Sequence, residues 1–438
     1  MSDADPAPSL LGPTAWGIAV RAAGMALGFG VALFLARVLG AEDLGAYQGV
    51  LSIAIILASV AAATAERPAA RRIAALPADD PEALGAEVGL AHLVVGLATL
   101  SIVVTMLVAS LVPSVPDGAA ITLRLAAFVV PGLALISLRQ WIALPLRGVA
   151  VSIGPEQVAL PLAFVGLLGL VRQQAELGAS EALLAYAAAC WLVWLVTIWW
   201  SGLLGFVGDS LRSRPADLGG VVRARAREGR SFVVLAIVSV IPIYATVPLV
   251  AVLLDLEAAG QLAIGLQLAG LVAVPLQIVN LVVVPRCAKL HQDGDIVGLE
   301  ALVRTASGLS LGLGLGLALV VLLAVDSILG LLGPSFDAAG ELLPILVVGQ
   351  LINAAFGPNS PALQMIGRDR DAARAESVAT VARFIIVACA ALAGSLLGVA
   401  LANAATTALR NVLLSTLLYR RTGILSLPSW SHRRAFAR

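Results

Sequence analysis

Charged residues are scarce in this chain, at 13% of its 438 residues. A soluble domain carries about a quarter charged residues, which cover its surface. Here 60% of the residues are hydrophobic, and apolar runs longer than about 18 residues recur from end to end. The composition therefore excludes a soluble globular protein and predicts an all-α polytopic membrane protein.

Lysine, cysteine and histidine are scarce as well. The only lysine is Lys289, so the phosphate-binding motif G-x-x-x-x-G-K-[ST] is absent. The cysteines Cys190, Cys287 and Cys389 are isolated and the three histidines are scattered, which predicts no disulfide and no metal site. The one G-x-S-x-G match, residues 308–312, lies in an apolar run and lacks the strand-to-helix turn of a nucleophile. We expect no enzyme, no cofactor and no nucleic-acid binding.

Apolar runs separated by charged, proline or glycine residues predict about twelve transmembrane helices. Their expected ranges are 13–36, 44–65, 87–112, 119–138, 151–171, 182–207, 231–254, 260–285, 303–325, 341–361, 376–395 and 398–419. The largest break, residues 209–230, carries six arginines and is predicted to be a basic cytoplasmic linker, with contact to anionic headgroups as a second role. It divides an N-terminal six-helix lobe, residues 1–208, from a C-terminal six-helix lobe, residues 231–438.

Basic residues are distributed unevenly between the predicted loops. One side holds 22 of them, whereas the other holds only Arg37, Arg124 and Arg172. The positive-inside rule makes the richer side cytoplasmic, with both termini there. The acidic N-terminal segment does not fit a signal peptide, so the first apolar run is expected to be retained. The expected location is the cell inner (cytoplasmic) membrane.

The two halves show a weak internal repeat at an offset of 215 residues, which aligns Gly45 with Gly260. LGAEDLGAYQGVLSIAIILASV then lies beside LLDLEAAGQLAIGLQLAGLVAVP. Each stretch contains the apolar end of one span, a short acidic turn, and a glycine near the start of the next span. We expect Gly40 and Gly45 to let the chain reverse between the first two spans. Six spans per half predict repeats that share one orientation, as in transporters built from parallel repeats.

Three arginines lie deep within predicted spans: Arg21, Arg383 and Arg410. Each is about 10–14 Å from the cytoplasmic boundary at about 1.5 Å per residue. Intramembrane charges are costly and indicate function by default, so these three are candidates for binding a phosphate or diphosphate. Pairing with a local carbonyl, or extension to the interface, is the alternative for each. Arg21 has no acidic neighbour in the sequence.

Polar residues within the spans form a second set of candidates. The amides hydrogen-bond sugar hydroxyls well, but bridging between helices is an equally good interpretation; they are Gln277, Asn280, Gln350 and Asn353. Glu66 and Arg67 adjoin at the inner end of the second span. They are either gate or ion-coupling residues or a pair at the membrane interface.

Three segments resemble a known family. Residues 21–60, RAAGMALGFGVALFLARVLGAEDLGAYQGVLSIAIILASV, resemble the opening of the polysaccharide and oligosaccharide-lipid flippases of the MOP (multidrug, oligosaccharidyl-lipid, polysaccharide) superfamily. In that family the first span ends in a pattern matched by Leu35–Tyr47. Leu331–Ala373 resembles the tenth-span region, and GVALANAATTALRNVLL resembles the closing span.

The resemblance implies two six-helix lobes around a central cavity, as in MATE-like proteins. Alternating access would move a polyprenyl-diphosphate-linked glycan from the inner to the outer leaflet. Basic residues of the family contact the diphosphate, and Arg21 fits that role. A polysaccharide polymerase and glycosyltransferases are candidate partners of a monomer in the lipid bilayer. Alternatives left open are a cation-coupled multidrug exporter, a membrane glycosyltransferase or polymer ligase, and a non-transporting assembly subunit.

Overall fold

The computed structural model describes residues 11–77, 80–114, 116–173, 176–200 and 218–428. These residues fold into α-helices joined by short turns. The helices are α1 (Leu11–Ala63), α2 (Glu66–Ala75), α3 (Pro81–Ala109), α4 (Asp117–Arg147), α5 (Val149–Gly154), α6 (Leu160–Val171), α7 (Ala179–Trp200), α8 (Leu218–Tyr244), α9 (Thr246–Leu253), α10 (Leu256–Gly270), α11 (Val274–Gln292), α12 (Ile296–Leu332), α13 (Asp337–Phe356), α14 (Asn359–Met365), α15 (Asp369–Leu392) and α16 (Leu396–Thr422).

The described residues contain ten helical segments that are long and apolar enough to cross a membrane, or eleven with the bent pair α8–α9. The first segment, Ala19–Ala75, includes both arms of α1, which the non-helical Gly40 separates. Counting the two arms separately gives the twelve spans that hydropathy predicts. The prediction of an all-α, multi-pass membrane fold is confirmed.

The chain reverses at Gly40. Its φ of 74° and ψ of 179° lie outside the helical region and are accessible to glycine. On a straight helix Arg21 and Glu66 would lie about 68 Å apart, yet both are within electrostatic range of Glu156. The two arms of α1 must therefore fold back towards each other, in agreement with the predicted reversal.

Gly45 has a different role from the one that the sequence suggested. It is helical, and it lies where the second arm of α1 crosses α10. An added Cβ on Gly45 would overlap the carbonyl oxygen of Leu256 and lie 2.8 Å from the amide nitrogen of Gly260. Only glycine permits so close a backbone approach. The reversal thus depends on Gly40, and Gly45 serves helix packing.

This crossing is reciprocal. An added Cβ on Gly260 would overlap the carbonyl oxygen of Ala41, just as one on Gly45 would overlap that of Leu256. Gly45 and Gly260 are 215 residues apart, and so are Ala41 and Leu256. A pair of contacts exchanged in this way is what a two-fold relation between equivalent segments produces. The offset that aligns the two halves in sequence is therefore reproduced in the packing.

The chain forms two compact units. The first comprises Met1–Phe34 and Val50–Val240, and the second comprises Leu35–Gly49 and Ile241–Arg438. The tip of the α1 hairpin thus belongs to the second unit. Residues 218–230 of the predicted linker are helical and form the first turns of α8, whereas residues 201–217 lie outside the described part of the chain.

Hydropathy does not reveal the breaks within spans, and two of these breaks bear on the candidate residues. A π-helical segment, Pro155–Ala159, separates α5 from α6. Helices α8 and α9 meet at a bend of 57° at Ala245. Each break disturbs the hydrogen-bonding pattern of its span, and each has an arginine nearby.

Candidate functional site

The break in the fifth span is supported by Arg139 of α4. A continuous helix would pair the carbonyl of Val151 with the N–H of residue 155, but that residue is Pro155 and has no N–H. Arg139 Nη2 donates to the Val151 oxygen at 3.1 Å, and Nη1 donates to the Ser152 oxygen at 3.2 Å. Its side chain is only 1% exposed. Arg139 therefore supplies donors that the proline removes.

The π-helical segment brings an acid within electrostatic range of Arg21. Glu156 lies in this segment and interacts electrostatically with Arg21 of α1. An added Cβ on Gly24, one turn beyond Arg21, would lie 2.6 Å from Gln157 Cβ, so α1 packs directly on the π-helical segment. Arg21 has no acidic neighbour along the sequence, but the fold supplies one. The neighbour is distant in sequence and is supplied by another span.

Glu66 is the second acid of this cluster. It is 7% exposed, and Ser137 Oγ donates to its Oε2 at 2.7 Å. Arg67 Nε lies 3.9 Å from Glu66 Oε1, while the Arg67 guanidinium lies 5.1 Å from the ring centroid of Trp141. Glu66 also interacts electrostatically with Glu156. The first unit thus combines the carboxylates of Glu66 and Glu156 with the guanidinium of Arg21.

An apolar cavity of about 580 Å³ lies beside this cluster in the first unit. It is bordered by the first arm of α1, by α5 with the π-helical segment, and by the end of α7. Large side chains at its edges include Trp16 and Trp200, which are 64% and 68% exposed. Its volume lies in the range of small-molecule sites. The lining suits a hydrocarbon chain better than a phosphate or a sugar.

In the second unit Arg383 of α15 is held by three hydrogen bonds. It donates from Nη1 to the Pro242 oxygen at 2.7 Å, from Nη2 to Thr407 Oγ1 at 2.8 Å and from Nε to Thr406 Oγ1 at 3.2 Å. A continuous helix would pair the Pro242 oxygen with the N–H of Thr246, but the chain bends between α8 and α9. Arg383 therefore fixes the bend of the seventh span. This is the carbonyl pairing that the sequence left as an alternative.

A polar network continues from Arg383 along α16. Asn411 Nδ2 donates to Asn353 Oδ1 of α13 at 3.1 Å, and Asn359 Nδ2 of α14 donates to Asn411 Oδ1 at 3.2 Å. Asn411 and Asn359 are 0% and 2% exposed. Three carboxamides are therefore linked within the apolar helices of this unit.

Arg410 stands at the accessible edge of the same network. Its Nη2 lies 3.9 Å from Glu376 Oε1, and Ser360 Oγ donates to the same carboxylate oxygen at 2.7 Å. The side chain of Arg410 is 34% exposed, and its charge acts on Arg383. Arg410 thus has one long ion pair and retains free donors, whereas Arg383 uses all three of its nitrogens.

The remaining amide candidates do not join this network. Gln350 lies one turn before Asn353 on α13, while Gln277 and Asn280 lie on α11, all three half-buried. Asn280 Oδ1 is buried without a hydrogen-bond partner in the described structure. The structure therefore brings together Arg383, Arg410 and Asn353, and leaves Gln277, Gln350 and Asn280 apart from them.

Sequence reasoning missed Glu156, Glu376, Asn359 and Asn411. None of the four is among the candidates that the sequence indicates. Pro155 was an available signal, because a proline within a span leaves a carbonyl unpaired. The G-x-S-x-G match at residues 308–312 lies inside α12, so those residues form no nucleophile turn.

Known proteins share this fold. Residues 231–389 match the MatE family model. An inward-facing multidrug resistance MATE family transporter of the MOP superfamily superposes with a TM-score of 0.68 at 14% identity, covering 93% of this chain and 98% of that one. The lipid II flippase MurJ, in an inward closed conformation, gives 0.69 at 13% identity, covering 92% of this chain and 87% of MurJ.

The eukaryotic MATE transporter AtDTX14 superposes with a TM-score of 0.60 at 16% identity, covering 97% of this chain and 96% of that one. A search of curated proteins gives no match. At such identities the structural likeness establishes the fold and not the substrate. The chain has a MATE-like fold, and within it residues 231–389 match the MatE family model.

Proposed function

We propose that this protein moves a polyprenyl-diphosphate-linked oligosaccharide or polysaccharide precursor from the inner to the outer leaflet of the cell inner membrane by alternating access. Both termini are cytoplasmic in this proposal. The N-terminal lobe, residues 1–208, and the C-terminal lobe, residues 231–438, act as the two moving bodies. Transport itself is supported by the MatE match and by the transporters that share the fold.

The main support for this substrate class is the polar cluster around Arg410. A cation placed among carboxamides within apolar helices is costly to maintain, and it offers what such a substrate needs. The guanidinium presents planar, paired donors to a phosphate. Asn353 is half-buried and uses its oxygen to accept from Asn411, so its amide nitrogen is the donor offered to a sugar hydroxyl, while the buried Asn411 holds Asn353 in place. Because Arg410 is partly exposed and Arg383 is fully engaged, Arg410 is the phosphate contact of the second unit.

The test is a flipping assay in liposomes that contain the purified protein and a polyprenyl-diphosphate-linked oligosaccharide. Loss of one charge-assisted hydrogen bond costs about 1.5–3 kcal/mol, so Arg410→Ala should lower the flipping rate roughly tenfold or more. Arg374→Ala is the matched control, since Arg374 is an exposed arginine of the neighbouring α15. Wild-type rates in Arg410→Ala would remove the site. Absence of flipping by the unmodified protein would remove the function.

A double substitution separates two roles of Arg21. Arg21→Ala leaves Glu156 without its neighbouring cation, so loss of flipping alone does not identify a substrate contact. If Arg21 binds the diphosphate, flipping stays low in Arg21→Ala combined with Glu156→Gln, and Arg21→Lys restores it only in part. Recovery in the double variant would show that Arg21 merely neutralises Glu156.

A cation-coupled multidrug exporter is the second candidate. The interaction between Glu66 and Glu156 favours it, because buried acids that share a site suit exchange of a proton or a metal cation. Glu66→Gln should then abolish efflux of cationic drugs from cells while export of glycan is unchanged. The reverse result, normal efflux with impaired glycan export, supports the flippase.

A further inference from the structure

The first turns of α8 have two opposite faces with different chemistry. The packed face contains Arg225, Gly229 and Phe232. An added Cβ on Gly229 would overlap the carbonyl oxygen of Thr64, and the Arg71 guanidinium lies 5.0 Å from the centroid of the Phe232 ring. This face is therefore fixed against the end of α1 and against α2.

An ion-pair network on the packed face is neutral within itself. Arg72 Nε lies 2.6 Å from Glu87 Oε1, and Arg225 Nη2 lies 2.9 Å from Glu87 Oε2. Arg72 also pairs with Glu228, which lies 3.7 Å from Arg225 Nη1. The positive charges of the two arginines and the negative charges of the two glutamates cancel. Within the described part of the chain, both acids of this network are already paired and compensate no further arginine of α8.

The opposite face carries three further arginines in one stripe. Arg223, Arg227 and Arg230 follow the spacing i, i+4 and i+7, which places them on one side of the helix. All three are exposed, and no ion pair to them occurs in the described part of the chain. The stripe continues into Val234 and Ile237, which are 61% and 37% exposed.

The change from basic to apolar along this stripe follows the profile of a bilayer surface. Arg223 and Arg230 are about 10 Å apart along the helix axis, similar to the depth of one headgroup layer. Exposed aliphatic residues begin one turn later, where the hydrocarbon begins. In the predicted orientation this end of α8 is cytoplasmic, where a negative surface potential attracts basic side chains.

We propose that Arg223, Arg227 and Arg230 form a binding site for anionic phospholipid headgroups, with Val234 and Ile237 against the acyl chains. The site is independent of the transported substrate. Of the six arginines in residues 209–230, Arg225 belongs to the ion-pair network and the three of the stripe bind lipid. Each arginine contributes about fivefold to the preference for an anionic lipid.

The experiment is native mass spectrometry of the full-length protein in detergent, titrated with phosphatidylglycerol or phosphatidylcholine. The wild-type protein should bind phosphatidylglycerol more tightly. The combined substitution Arg223→Gln, Arg227→Gln and Arg230→Gln should weaken that binding by tenfold or more and leave phosphatidylcholine binding unchanged. Added salt should weaken the preference of the wild-type protein.

The matched control removes three other exposed arginines with the same loss of charge, namely Arg368, Arg370 and Arg374. These adjoin the acids Asp369 and Asp371, so they should bind an anion poorly, and their replacement by glutamine should preserve lipid binding. The proposal is overturned if the stripe variant keeps its affinity, or if the control loses as much. It is also overturned if the wild-type protein does not distinguish the two lipids.

Discussion

Replacing Arg383 with alanine should loosen the bend between α8 and α9. The substitution removes the hydrogen bonds to Pro242, Thr406 and Thr407 together. Hydrogen bonds between side chains of membrane helices average about 0.6 kcal/mol, with values up to about 1.7. Three such hydrogen bonds correspond to roughly 2 kcal/mol. The substitution also removes the cost of burying the guanidinium charge, and this gain keeps the net loss from being larger. We therefore expect Arg383→Ala to lower the free energy of unfolding by about 2 kcal/mol.

The measurement is reversible unfolding in mixed micelles of mild detergent and dodecyl sulfate, followed by circular dichroism. Arg383→Lys keeps the charge but concentrates its donors at one nitrogen, so it should recover only part of the loss. Arg410→Ala is the control, because its single ion pair at 3.9 Å is half-exposed and contributes less than about 1 kcal/mol. Equal stability of Arg383→Ala and the wild-type protein would refute the assignment of Arg383 to the bend. If Arg383→Lys had the stability of the wild-type protein, the separate donor nitrogens of the guanidinium would not be needed at the bend.

Two further substitutions test the packing. Gly260→Ala should destabilise the protein by about 1–3 kcal/mol in thermal unfolding, because the added Cβ would overlap the backbone of Ala41. Gly270→Ala is the control, since its Cβ would enter open space, and it should be neutral or stabilising. A similar loss of stability at both sites would contradict the reasoning. Glu87→Gln leaves Arg72 and Arg225 with Glu228 as their one acid in the network, so one positive charge is uncompensated and trypsin should cut α8 faster than in the wild-type protein. Glu300→Gln removes only a partly exposed pair within α12 and should not change cleavage; unchanged cleavage in Glu87→Gln would show that the network does not hold α8.

Hydropathy could predict the spans because a backbone in lipid must satisfy its own hydrogen bonds, which makes long apolar runs helical. It could not predict the helix ends. Helix α12 covers Ile296–Leu332, whereas its apolar run suggested 303–325. At about 1.5 Å per residue this helix is about 55 Å long, longer than a hydrocarbon core of about 30 Å, and the charged Glu300 and Asp326 interrupt the apolar pattern before the helix ends.

The sites were only partly predictable. The depth of Arg21, Arg383 and Arg410 follows from residue counts, but their neighbours depend on how helices rotate and cross. Glu156 meets Arg21 because a π-helical segment packs on α1, and no local pattern encodes that contact. The pairing of Arg383 with the Pro242 carbonyl likewise needs the bend, which the proline suggests without naming the donor.

Gly45 also shows the difference between pattern and cause. A glycine after an acidic pair reads as a turn residue, and the neighbouring Gly40 is indeed one. The close crossing with α10 that Gly45 permits involves residues more than 200 positions away. The local sequence therefore indicates that Gly45 is constrained, but only the structure shows that the constraint is the close crossing of two helices.

The reciprocal crossing of Gly45 and Gly260 has a consequence for ancestry. Two separate copies of a six-span chain could form the same crossing with each other, in which the glycine of each copy packs against a backbone carbonyl of the other. Fusion of such copies leaves the crossing in place but allows every other position to diverge. Arg21 illustrates this, because the residue at the same offset in the second half is Ala236. A symmetric ancestral homodimer can in this way become a single chain whose chemistry differs from one half to the other.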